Sequence, residues 1–128
     1  MPKKVLQLID TAYRCTVEEQ DDPAVWITHA MKGAGGDLDV LLAGSAVNYA
    51  VKGQDATGLR FGERTQSHSP DLDGDIARLV EKGVSVFLVE DDAAERGIEP
   101  DDLIGGVKHV SRSGIAKLFG NYDQVWHW

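Results

Sequence analysis

With a single cysteine, Cys15, the chain can form no internal disulfide, so its fold rests on packing. Long apolar runs are also missing. Those present are short, such as Val40-Leu41-Leu42-Ala43 and Val86-Phe87-Leu88-Val89, far short of the roughly 20 residues that cross a bilayer as a helix. Basic clusters are absent beyond Lys3-Lys4, and 13 Lys and Arg face 21 Asp and Glu for a net charge of −8. Binding through phosphates needs a basic stripe, so nucleic acid and anionic membranes are excluded as expected partners. The apolar stretch behind Lys3-Lys4 meets Asp10 too soon for a secretory signal, and a cytoplasmic address is expected. There is no internal repeat, low-complexity tract or linker. In 128 residues with 42% hydrophobic and 27% charged composition, that leaves one globular domain over residues 1–128.

What is present is an alternation of strand and helix signals. Residues 5–9 form a nearly continuous apolar run, as a strand buried on both faces requires. Asp21 or Asp22 can cap a helix with Pro23 at its first position, carrying Val25, Trp26, Ile27, Ala30 and Met31. Residues 38–43 read as a second strand, and Gly44-Ser45 opens a short helix. Leu59 and Phe61 alternate with polar residues, which permits a short edge strand inside a long loop, residues 54–70. Leu72, Ile76, Leu79 and Val80 lie at helical spacing behind Asp71 or Asp73. Residues 84–89 and 107–110 are further strands, with a short acidic helix at residues 91–96 between them. Ile115, Leu118, Phe119 and Tyr122 mark a last helix, and residues 124–128 a final edge strand. The pattern predicts a three-layer α/β/α fold around a mostly parallel sheet of about five strands, flavodoxin-like in outline.

In such sheets ligands sit at the carboxyl ends of the strands. Two acidic clusters fall there. One is Glu18, Glu19, Asp21 and Asp22; the other is Glu90, Asp91, Asp92, Glu95, Glu99, Asp101 and Asp102, and together they hold 11 of the 21 acids. Gly44-Ser45 and Ser111-Arg112 belong to the same edge. The candidate site residues are therefore Asp10, Arg14, Cys15, Glu18, Glu19, Ser45, Glu90 and Asp91.

Several chemistries fail on spacing. Gly33-Ala34-Gly35-Gly36 and Gly105-Gly106 follow helical segments and precede strands, the reverse of a phosphate-binding turn. Gly44-Ser45 lacks the spacing of a nucleophile elbow. Receiver-type chemistry needs a carboxylate pair after the first strand and a Lys after the last, whereas Asp10 stands alone and Lys108 lies within its strand. His29, His68, His109 and His127 have no ligand-spaced partner on their own elements, and no resident metal or cofactor is expected. The tryptophans Trp26, Trp126 and Trp128 read as core or interface packing. Cys15 is the one intrinsically reactive side chain. Arg14 favours its thiolate, while Glu18, Glu19, Asp21 and Asp22 oppose it.

The stretch Gly83-Val84-Ser85-Val86-Phe87-Leu88-Val89, then Ala93-Ala94-Glu95-Arg96-Gly97-Ile98, then Leu103-Ile104-Gly105-Gly106-Val107, resembles the second half of DsrE/DsrF/TusD-type proteins. The resemblance implies a small parallel α/β fold, assembly as a trimer or hexamer, and a place in sulfur metabolism beside a protein partner. It also implies a persulfide-carrying cysteine at the end of the strand before Arg-Gly. Counted back from Arg96-Gly97, that cysteine falls within residues 89–92, which read Val-Glu-Asp-Asp. A carboxylate cannot carry persulfide sulfur. Three readings stay open: a sulfur carrier, accessory subunit or small-ligand-binding module in which Cys15 is the one available thiol; an oligomeric interaction protein without chemistry; or an acidic pocket for a metal ion or cationic small molecule.

Overall fold

A computed structural model describes residues 3–16, 18 and 21–128. Seven strands and four α-helices run in the order β1 (Lys4–Ile9), α1 (Pro23–Gly33), β2 (Asp37–Leu42), β3 (Arg60–Phe61), β4 (Arg64–Thr65), α2 (Leu72–Glu81), β5 (Val86–Val89), α3 (Glu90–Glu95), β6 (Lys108–Val110), α4 (Ile115–Phe119) and β7 (Gln124–His127). A 3-10 segment, Gly44–Ala50, follows β2, and shorter ones occupy Pro100–Asp102 and Arg112–Gly114. Five strands form one sheet in the order β6-β5-β2-β1-β7, and every pairing in it is parallel. The fold is the expected α/β one, with helices on both faces.

Local chemistry explains the starts and stops. Asp22 caps α1, its Oδ1 accepting from the Ala24 N–H at 2.8 Å and the Val25 N–H at 3.1 Å, with Pro23 where a missing donor costs nothing. Asp71 stands at the N-terminus of α2 without a side-chain capping bond; its carboxylate instead accepts from Arg78 two turns on, at 3.3 Å.

The two faces are unequally covered. On one side α1, α2, α3 and the Gly44–Ala50 segment bury Ala24, Val25, Val47, Tyr49, Ile76, Leu79 and Ala93 against Ile9, Val40, Leu42, Val86 and Leu88. On the other, α4 alone sets Leu118 against Leu6, Leu41 and Val89. Among the described residues no helix is long and apolar enough to cross a membrane.

Three expectations need correction. Leu59 and Phe61 do not mark an edge of the main sheet; Arg60–Phe61 pairs antiparallel with Arg64–Thr65 in a separate two-stranded hairpin. The last helix stops at Phe119, and Tyr122 lies beyond it, donating to Asp39 at 2.7 Å. Trp26 is not core: it is 62% exposed on α1, whereas Trp128 packs on the larger core and donates its indole N–H to Gln7 at 2.9 Å.

Candidate functional site

Because all five strands point the same way, β1, β2, β5, β6 and β7 deliver their carboxyl ends to one rim. At its centre is Gly44, just past β2. Its φ is +53°, and a Cβ there would stand 2.7 Å from the Asp10 carbonyl oxygen, so only glycine lets the two loops meet. The Gly44 N–H donates to Asp92 Oδ2 at 2.7 Å, and the other carboxylate oxygen of Asp92 accepts from Arg112 at 2.5 Å. Arg112 also reaches Glu95 at 2.9 Å, and its backbone N–H donates to Asp91 at 2.8 Å. Burial pushes the Asp92 carboxyl up, but the Gly44 N–H and the guanidinium more than offset this and hold it below the usual carboxylate range. Asp10 is likewise held low, chiefly by its 2.6 Å contact with His127 on β7.

The loop after β1 is fastened on the other side of Gly44. Ser45 Oγ accepts from the Ala12 N–H at 2.9 Å, and Tyr49 accepts from the Arg14 N–H at 3.0 Å while donating to Asp22 at 2.5 Å. The Tyr13 ring meets Tyr49 edge-on at 5.5 Å. Cys15 is half-buried beside this network and has no disulfide partner. Burial pushes its thiol up, and Asp22, Asp21 and Asp75 push it further, against one lowering contact from its own backbone. Of the opposing influences weighed from the sequence, the acids prevail; the Arg14 guanidinium lowers Asp10 instead.

Glu18 is tied elsewhere. Its carboxylate accepts from the backbone N–H groups of Ser67, at 2.9 Å, and His68, at 2.6 Å, and from the Ser67 hydroxyl at 3.1 Å. Desolvation opposes ionisation there, but these donors hold the carboxyl low. Glu18, Phe61, Arg64, Thr65 and Ser67 line a cavity of about 330 Å³. Glu19 lies outside the described residues.

Glu90 and Asp91 line a separate cavity of about 420 Å³, with Ala93, Ala94, Ile98, Pro100, Leu103 and His109. Cys15 contributes nothing to that lining. The predicted residues thus fall into three settings: Asp10, Arg14, Cys15 and Ser45 around the loop after β1; Glu18 at the hairpin; Glu90 and Asp91 beside α3. Among the described residues no group of three or more His, Cys, Asp or Glu side chains is arranged to hold a metal ion. Asp92, Arg112, Tyr49 and Asp75 matter as much as the residues singled out from sequence. Asp92 stood in the acidic run and Arg112 on the predicted edge, but nothing local tied either to Gly44.

A parallel five-stranded α/β fold with carboxylates held at the carboxyl-end rim is the class these features define. The chain belongs to the DsrE/DsrF-like family, whose sequence profile matches residues 10–127. Two solved structures share the fold. The ychN protein of E. coli is 22% identical, with a TM-score of 0.69 over 100% of both chains. MTH1491 of Methanobacterium thermoautotrophicum, titled a protein of unknown function, is 16% identical, with a TM-score of 0.61 over 97% of this chain and 98% of its own. No curated protein gives a significant match.

Proposed function

We propose that this chain is an accessory member of its family in sulfur metabolism, one that does not relay persulfide from the family's cysteine position. One observation carries the reading. Residues 89–92, where a DsrE-type cysteine is expected, hold Asp92 clamped between the Gly44 N–H and Arg112. Relay begins with a thiolate attacking sulfane sulfur, and that place offers only a carboxylate already in use.

Cys15 is a poor substitute, since a thiol held protonated by burial and three carboxylates attacks slowly. The cation-pocket reading is weaker for a similar reason: of the acids it calls on, Asp10, Glu18 and Asp91 each already accept a protein donor. In this reading the protein is a single cytoplasmic domain, assembled as a homo-oligomer such as a trimer or hexamer. It acts beside another sulfur-metabolism protein, without nucleic acid or membrane.

The test is sulfur transfer from thiosulfate or polysulfide to a small acceptor thiol, followed by intact-mass spectrometry of the wild type and Cys15→Ser. The expected result is no sulfur passed on by either protein. Transfer by the wild type that Cys15→Ser abolishes would make Cys15 a carrier and overturn the reading.

A further inference from the structure

The β3-β4 hairpin and the cavity beside α3 have complementary surfaces. The hairpin pairs only with itself and stands apart from the five-stranded sheet. It presents Leu59 at 40% and Phe61 at 49% exposure, more than an apolar side chain retains when its own fold buries it. Arg60 and Arg64 flank Phe61, and the ion pairs among the described residues involve neither guanidinium. In a chain of net charge −8, this is an apolar anchor between two cations.

The cavity beside α3 has the opposite character. Its floor is apolar, with Ala93 at 4% and Leu103 at 7% exposure and Ile98 beside them. Glu90 and Asp91 stand on its wall, and the Pro100–Asp102 turn that supplies Pro100 carries the exposed acids Asp101 and Asp102. At about 420 Å³ it can admit one aromatic side chain with room to spare.

We propose that the hairpin of one copy docks in the α3 cavity of a second copy, with Phe61 on the apolar floor and Arg60 and Arg64 against the acidic wall. The site beside α3 is then incomplete in a single chain. The two surfaces differ, so the contact is heterologous, and its repetition closes a ring or extends as a filament. Opposite charges steer the encounter and fix its direction, while the buried aromatic supplies most of the affinity. The inference stands independently of whether sulfur is transferred.

Two full-length variants in a Cys15→Ser background test it, one carrying Phe61→Cys and the other Ala94→Cys at the mouth of the cavity. Mixed and oxidised, they are expected to form a covalent heterodimer, with little cross-linking of either alone. In the wild type, Phe61→Ser with Arg64→Glu is expected to weaken self-association by about tenfold or more in sedimentation velocity, with an unchanged circular dichroism spectrum. A wild type that sediments as a monomer overturns the proposal and leaves the cavity to another occupant. So does an assembled protein in which the mixed variants fail to cross-link, since its interface must then lie elsewhere.

Discussion

Gly44 is the residue on which the rim depends most. Its positive φ and the 2.7 Å approach of the Asp10 carbonyl leave no room for a side chain. Gly44→Ala is expected to cost about 1–3 kcal/mol, as backbone strain of this kind does; urea denaturation measures it. Asp92 depends on the same spot, because the Gly44 N–H is one of its two anchors. Sequence shows a glycine after a strand and an aspartate in an acidic run, 48 residues apart. Nothing in either segment says that they meet, because the contact is made by the parallel pairing of β2 with β5. Cys15 was readable as a lone thiol among acids. Asp75, however, reaches it from α2, and no local pattern announces that.

At the scale of elements, Glu18 fastens the loop after β1 to the segment that follows the hairpin. Glu18→Ala is expected to raise amide hydrogen exchange and proteolytic cleavage across residues 59–68 while β1 and β2 stay protected. Unchanged exchange there would show that the three donors to Glu18 do not restrain the hairpin. The thin face behaves differently: α4 has five residues and one buried side chain, Leu118. Leu118→Ala should speed exchange at residues 115–122 selectively, whereas Leu88→Ala, in the larger core, should cost about 2–5 kcal/mol globally. The central strands β1, β2 and β5 were legible from their apolar runs, and α2 and α4 from apolar residues at helical spacing. Of the hairpin, a short strand near Phe61 was readable but its antiparallel pairing with Arg64–Thr65 was not, since two residues per strand do not specify a partner. Nor was the early end of α4: Tyr122 keeps the helical spacing, but its hydroxyl is drawn to Asp39.

For the molecule as a whole, acid is the revealing stress. The folded-state pKa values of Asp10 and Asp92 lie below the free value of 3.8. Their contribution to stability is therefore fully present above that pH and is lost as pH falls through the folded values. Asp75 has the opposite sign, since burial raises its pKa despite the ion pair with Arg78, so its protonation relieves strain in acid. The expected outcome is an unfolding free energy that falls below about pH 4, with a shallower fall in Asp92→Asn, measured by denaturant titration across pH. The same architecture bears on function. A parallel sheet gathers the rim, where Asp92 is held by the Gly44 N–H and Arg112, while burial and nearby carboxylates push the Cys15 thiol up. Alkylation of Cys15 by iodoacetamide, followed against pH in the native protein, tests that account most directly. The account predicts slow reaction at neutral pH and a half-maximal rate above pH 9.0, the thiol's free value; a rate already at its plateau near neutral pH would contradict it.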